Sequence, residues 1–438
     1  MGQATTTTPT QEDRSTLRRA ATASFIGNFV EWFDYASYGY LATTIAVVFF
    51  PEADRTAALL STFTVFALSF ILRPIGGIIW GSLGDRFGRR WALSWSILIM
   101  SAASFCIGLL PAWAAIGIWA PIGLLLLRMV QGFSASGEYA GAAAFLSEYA
   151  PRGKRGLYTS LVPASTATGL LAGSLLVTLL FQTMSDDTLY SWGWRIPFLL
   201  AGPLGLIGRY IRVHLEDSPH YRAMAEASAG STKRATPLRD LLANHKRALA
   251  IAFGVASLNA VAFYLILSYM PTYLSAELGM DKTTSFFAST LALTIYIGSI
   301  FVMGHISDMF GRRRMLVIAS VLFTVLTVPL FALLHVGWVW LIILVEIVFG
   351  ILLTVNDGTL ATFLAEIFPT PVRYTGFALA FNSANALLGG TAPFVATWLI
   401  AVTGSAAAPA WYLTLIAIGA LGAMLIAKET AFSELRDK

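Results

Sequence analysis

A single cysteine, Cys106, stands in 438 residues. It excludes a disulfide within the chain and leaves no thiolate cluster for a metal or a redox pair. Charge is scarce as well: Asp, Glu, Lys and Arg make up 12% of the residues, roughly half the share in a soluble globular protein. Of the five histidines, His245, His305 and His335 stand apart with no metal-ligand spacing. No Walker-type phosphate loop occurs, which argues against drive by ATP. No metal pair or nucleophile–base motif suits an intramembrane hydrolase. The chain therefore does not read as an enzyme, and it calls for no cofactor.

Apolar residues are abundant. They make up 56% of the chain, and mean hydropathy is +0.69. Apolar stretches of about 20 residues recur along the whole length, so the reading is a polytopic all-α membrane protein. About twelve spans are expected: 20–50, 57–82, 91–111, 115–149, 156–183, 193–213, 247–276, 284–306, 314–335, 337–367, 374–403 and 409–428. Residues 1–17 read as a disordered polar tail without a cleavable signal. A first six-helix unit covers 18–213, a polar linker 214–246, a second six-helix unit 247–430, and a tail 431–438. A pI near 9.3 reflects clustering of Arg and Lys in the even-numbered connections. That places both termini in the cytoplasm by the positive-inside rule and gives no reason to expect nucleic acid. A bacterial cytoplasmic membrane, a small-molecule solute, a proton and no obligatory protein partner complete the expectation.

The two units repeat one another. Gly81-Ser-Leu-Gly-Asp85-Arg-Phe-Gly88-Arg-Arg90 follows span two, and Gly304-His-Ile-Ser-Asp308-Met-Phe-Gly311-Arg-Arg313 follows span eight. Arg128 to Gly132 and Glu148 in span four match Glu346 to Gly350 and Glu366 in span ten, and Arg155 matches Arg373. A parallel six-plus-six repeat is the pattern of a transporter whose halves rock about a central site.

The chemistry concentrates in span one. Glu31 and Asp34 lie three residues apart within Asn28-Phe-Val-Glu31-Trp-Phe-Asp34-Tyr-Ala-Ser-Tyr38, so a helix presents both on one face. Charged acids at membrane depth line polar cavities or carry protons; the plain alternative is neutralisation by buried arginines. A carboxyl kept from water takes and gives up a proton as its surroundings alternate. Asp34 and Glu31, then Glu138, are the candidates for proton coupling. Arg128 offers a planar fork to a substrate carboxylate, or else a fixed ion pair with Asp34, Glu138 or Glu346. Asp357, on span ten, is a candidate for a substrate cation or a hydrogen-bonded acid near a bend. Trp32, Tyr35, Tyr38 and Tyr139 suit a pocket wall. Tyr264, Tyr269, Tyr273 and Tyr296 could form an aromatic cage for a quaternary ammonium. Arg73 and Arg195 read as structural ties. In the two loops, an acid at a helix end pairs with arginines and a neighbouring helix N-terminus. Asp85, Arg89, Arg90, Asp308, Arg312 and Arg313, joined by Glu148, Glu366, Arg155 and Arg373, form an expected conformational latch.

The two loops resemble the signature loop of the major facilitator superfamily. Gly27-Asn-Phe-Val-Glu31-Trp-Phe-Asp34, Arg73-Pro-Ile-Gly-Gly77, Gln131-Gly-Phe-Ser-Ala-Ser-Gly-Glu138 and Trp192-Gly-Trp-Arg195-Ile-Pro-Phe198 resemble its metabolite:proton symporter family, and within that the proline/betaine transporter type. The resemblance implies two six-helix bundles around a cavity lined by spans one, four, seven and ten. It also implies alternating access and proton-coupled import of a small carboxylate-bearing solute, such as proline or glycine betaine. Ala384-Asn-Ala-Leu-Leu-Gly-Gly390 is closer to the family's carboxylate carriers, so symport of 2-oxoglutarate, citrate or another organic acid is the alternative. Drug efflux by antiport is a remote one.

Overall fold

The computed structural model describes residues 11–87, 89–151, 153–213, 237–433 and 435. Among these residues the helices follow one another as twelve spanning units. In the first half these are Gln11–Tyr40 with Ala42–Phe49, Arg55–Ile71 with Arg73–Phe87, Arg89–Leu109, Trp119–Ala135 with Glu138–Tyr149, Arg155–Thr159 with Leu161–Thr183, and Arg195–Val213. In the second half they are Lys246–Ala276, Lys282–Phe310, Arg312–Leu334, Val339–Ile367, Val372–Thr403 and Ala408–Leu425. Eight of the units are long and apolar enough by themselves to cross a bilayer. With no water in hydrocarbon, every backbone donor must be satisfied within its own segment, which is why apolar runs of this length become helices.

Two boundaries move. The helix of span one is already formed at Gln11, nine residues before the expected start of the span at Ala20 and within the polar tail expected over 1–17. Pro237–Asn244 of the expected linker forms a short helix. It opens on proline, as first turns allow, and buries Leu241. The rest of that linker, 214–236, lies outside the described residues, as do residues 1–10 of the expected N-terminal tail and most of 434–438.

Within the first half, span one packs on span five and span three on span six; in the second, span eight packs on span ten and span nine on span twelve. The halves meet along two seams, span five against span eight and span two against span eleven. Small residues set the close approaches, as in other membrane bundles. A Cβ at Gly132 would sit 1.6 Å from the Ser69 carbonyl oxygen, so only glycine lets span four lie this close to span two. Asn28 fastens span one to span five, donating to Val162 O at 3.0 Å and Ser165 Oγ at 2.9 Å.

Candidate functional site

Asp34 and Arg128 pair at the centre of the first half. Arg128 Nη1 donates to Asp34 Oδ2 at 3.2 Å and to Gln131 Oε1 at 2.9 Å. Gln131 Nε2 donates to the same Asp34 oxygen at 2.8 Å and to Ser104 Oγ at 2.5 Å. Arg128 and Gln131 are fully buried and Asp34 nearly so. The guanidinium lies against the rings of Tyr38, at 4.2 Å, and Tyr35, at 5.0 Å. Its Nε and Nη2 find no hydrogen-bond partner. Buried polar atoms are nearly always satisfied, so this free edge of the fork is suited to a further acceptor. The expectation of an Arg128–Glu346 pair is not met. Asp34 holds Arg128, while Glu346 accepts from Ser289 Oγ at 2.8 Å.

A turn away, Arg73 Nη2 donates to Glu31 Oε1 at 2.6 Å, and both groups are buried. This ties span one to span two, as the reading of Arg73 anticipated. Arg195 is likewise a tie, donating to the carbonyls of Gly108 and Leu110. Removing one partner of a buried pair strands the other charge, at about 3–5 kcal/mol. Glu31→Gln therefore lowers the melting temperature of the detergent-purified protein markedly. An unchanged melting curve would show that the pair does not hold the fold.

An aromatic cluster lies between the halves. Trp32 meets Phe263 edge-on at 4.9 Å and Tyr264 at 5.8 Å. Phe66 and Phe70 close on Tyr264 at 5.9 and 5.4 Å, and Tyr35 stands against Phe70 at 5.3 Å. Trp32 Nε1 and the Tyr264 hydroxyl lack hydrogen-bond partners. Tyr264 opens a π-helical turn, Tyr264–Tyr269, a local widening that often marks a functional position. Of the expected cage, Tyr264 belongs to this cluster. Tyr269 pairs with Thr397, Tyr273 donates to the Ala406 carbonyl, and Tyr296 donates to Asp357.

Asp357 forms a second polar centre. It accepts from Tyr296, and from Tyr139 across the interface at 3.5 Å; Tyr139 stacks on Phe381 at 4.3 Å. Asn356 beside it leaves both side-chain polar atoms without a partner. Tyr139 follows Arg128 by eleven residues on span four, roughly 16 Å of helix. The structure therefore does not bring Tyr139 and Asp357 to the Arg128 fork, and a solute the size of proline cannot touch both centres at once. Glu138 is buried at the head of the lower helix of span four, past the break at Ser136 and Gly137.

The sequence matches the family described as Major Facilitator Superfamily over residues 25–393 and 252–432. The chain belongs to the major facilitator superfamily. It is 39% identical over 433 residues to the glycine betaine/proline/ectoine/pipecolic acid transporter OusA of Dickeya dadantii, covering 97% of this chain and 86% of that protein. It is 37% identical, over the same shares, to the proline/betaine transporter of Salmonella typhimurium. In fold it is similar to the proton:xylose symporter XylE bound to 6-bromo-6-deoxy-D-glucose. There the TM-score is 0.76 at 19% identity, covering 97% of this chain and 98% of that one.

The superfamily's second signature loop closes the arginine-rich end. Asp308 accepts from the backbone N–H groups of Gly156 and Leu157, at 2.8 and 3.0 Å, across the two halves. Arg312 Nη2 donates to Asp308 at 2.7 Å, and Glu366 bridges Arg312 and Arg155, each at 3.4 Å. Gly311 turns the loop with a φ of 100°, which a side chain disfavours. Arg313 does not join this set: one residue on, it points elsewhere and donates to the Met424 and Leu425 carbonyls. Arg373 Nε donates to the Ala365 carbonyl. Asp85, Arg89, Arg90 and Glu148 lie in helices, but their side chains are outside the described residues.

Sequence reasoning missed several members. Gln131 stands one turn from Arg128, a spacing that signalled its place. Ser104, Phe263 and the strap after span twelve carried no such signal. In that strap, Glu429 accepts from the Arg312 and Arg313 backbone N–H groups and Thr430 Oγ1 donates to Glu366.

Proposed function

We propose that this protein is a proton-coupled symporter that imports a small zwitterionic osmolyte such as proline or glycine betaine. The observation that carries the proposal is Arg128: a buried guanidinium with one edge on Asp34, the other free, beside an aromatic cluster. A substrate carboxylate takes the free edge of the fork, gaining charge-assisted hydrogen bonds in a dry site. The cationic end of the zwitterion rests against Trp32, Tyr35, Phe263 and Tyr264, where ring faces attract a desolvated ammonium. A proton on Asp34 removes the competing anion, so Arg128 binds substrate with its full charge. Proton and solute are thereby coupled at one residue. Glu31 serves the fold through Arg73, and Glu138 stands in reserve on the lower half of span four. Asp357 and Tyr139 act at the interface below the site, and the Asp308 cluster, with its repeat partner Asp85, latches the cytoplasmic end. The protein is not an enzyme, and it works in a bacterial cytoplasmic membrane with both termini inside. The relatives named as proline/betaine transporters support this substrate class.

A second reading, symport of an organic acid, is favoured by Arg73. It is a second buried guanidinium against Tyr35 and Phe70, and its Nε has no partner. Uptake into proteoliposomes under an imposed inward proton gradient separates the two. Accumulation of labelled glycine betaine, competed by proline and not by citrate or 2-oxoglutarate, supports the first reading. Competition by the acids alone contradicts it. In the same vesicles Asp34→Asn exchanges solute across the membrane and no longer accumulates it against a gradient. An Asp34→Asn protein that still accumulates solute with the proton gradient would remove Asp34 from the coupling.

A further inference from the structure

The second half holds one buried acid that the proposed cycle does not use. Glu346, in span ten, is 1% exposed. Its Oε2 accepts one hydrogen bond, from Ser289 Oγ at 2.8 Å, and its Oε1 has no partner. Among the described residues no lysine, arginine or histidine pairs with it. The titratable groups on the surrounding elements are engaged elsewhere: Tyr296 on Asp357, Tyr269 on Thr397, Tyr273 on the Ala406 carbonyl, His335 on the Phe331 carbonyl, and Lys282 over the Phe181 ring. Span five offers none along Leu161–Thr183. From span one, Tyr40 lies within electrostatic reach of Glu346, with its own hydroxyl spent on the Leu267 carbonyl at 2.7 Å.

Glu346 also lies at a seam. Its donor, Ser289, belongs to the turn of span eight that closes the halves away from the arginine-rich end. In that turn Phe286 meets Tyr40 of span one and Phe181 of span five, each at 5.3 Å. Thr290 pairs with Ser174 of span five at 2.7 Å. Beyond the seam a cavity of about 840 Å³ opens, lined by Ala46, Phe50, Arg55, Phe181 and Lys282 among others. Phe181 belongs both to the seam and to the wall of that vestibule.

An ionised carboxylate held by one hydroxyl in such a place is an uncompensated buried charge, which costs several kcal/mol unless water or a proton relieves it. We propose that Glu346 is a proton-binding site separate from Asp34, and that its protonation is the condition for closing the seam between spans one, five and eight. The proton comes from vestibule water onto a Glu346 carboxylate oxygen, taking the side chain from an anion to a neutral acid. The ionised form keeps water, and the seam stays parted; the neutral form packs against Tyr40 and Ser289. An unloaded carrier is thereby prevented from closing its outer side. Glu346 in this role depends on the proton drive of the symport reading and not on the identity of the solute.

The test uses the full chain in proteoliposomes, without any solute. In a Cys106→Ser background carrying Ser174→Cys, a position inside the seam and buried when it is closed, labelling by a membrane-impermeant maleimide is measured across pH and corrected for the reactivity of a free thiol. A several-fold rise in corrected labelling toward alkaline pH is expected in the parent, and a flat, low profile in Glu346→Gln. A Glu346→Gln profile that follows the parent overturns the proposal. In parallel, the infrared band of protonated carboxyl groups is recorded at neutral pH. The parent loses one such component in Glu346→Gln and shifts it upward in Ser289→Ala, which keeps the acid and removes its donor. No loss and no shift also overturns the proposal, and the Ser289→Ala arm stands if Glu346→Gln fails to fold. Because neither readout contains solute, a failure of the symport reading appears elsewhere, as an absence of proton-driven uptake by the unmodified protein.

Discussion

Arg128→Lys leaves a folded protein at normal levels in the membrane and lowers its uptake about 10–100-fold. The lysine keeps a positive charge for Asp34, so the buried pair is not stranded. It loses the planar fork, and with it the edge that Nε and Nη2 leave free. One charge-assisted hydrogen bond is worth roughly 1.5–3 kcal/mol, and a compact ammonium cannot hold Asp34 and a second carboxylate in the same plane. Arg128→Ala goes further, stranding Asp34 at about 3–5 kcal/mol, so it loses folded protein as well as transport. Membrane abundance measured beside uptake separates the two variants. Arg128→Lys protein that transports normally would mean that the guanidinium only neutralises Asp34, and that the solute carboxylate binds elsewhere.

Gly156→Val drives the halves apart at the arginine-rich end. A Cβ at Gly156 would lie 2.4 Å from the Gly304 carbonyl oxygen and 2.9 Å from Arg312 Nη1, and one at Gly304 would lie 2.7 Å from the Gly156 carbonyl oxygen. Backbone on both sides leaves nowhere to yield, so the closed latch of Asp308 on Gly156 N and Leu157 N cannot form. Each 1.4 kcal/mol of differential strain moves the balance between open and closed forms about tenfold, and a contact this short exceeds that several times over. The measurement is a disulfide between Thr159→Cys and Thr362→Cys in a Cys106→Ser background, since the two hydroxyls touch across the halves. Crosslinking is rapid in the parent and nearly absent in Gly156→Val, with uptake strongly reduced. Equal crosslinking in both would mean that the glycine contact does not set the closed state.

The parts of this account that were legible in the sequence are those fixed by local pattern. Spans followed from apolar length, and the equivalence of the halves from the repeated loops. The Asp308 cluster followed from an acid, a glycine turn and arginines at helix ends. The pairing of Arg128 was not legible, because Asp34, Glu138 and Glu346 all stand at plausible depth and only packing fixes which one the guanidinium faces. Arg312 and Arg313 are adjacent in sequence but about 100° apart around a helix, so one enters the latch and the other caps span twelve. The separation of Tyr139 from Arg128 was available from helix rise alone. Asp357 stands on another span, and only packing sets it against Tyr139. The π-helical turn that opens at Tyr264 in the aromatic cluster has no sequence mark, and neither does the Glu429 strap.

The central claim is that proton and zwitterion enter together through Asp34 and Arg128. It is tested most directly by the pH of a weakly buffered, de-energised suspension of cells expressing the protein. Proline, glycine betaine, 2-oxoglutarate and citrate are added in turn, and Asp34→Asn cells are run alongside. The account predicts alkalinisation on proline or glycine betaine, absent in Asp34→Asn. Alkalinisation by the organic acids alone, or persisting undiminished in the variant, would contradict it.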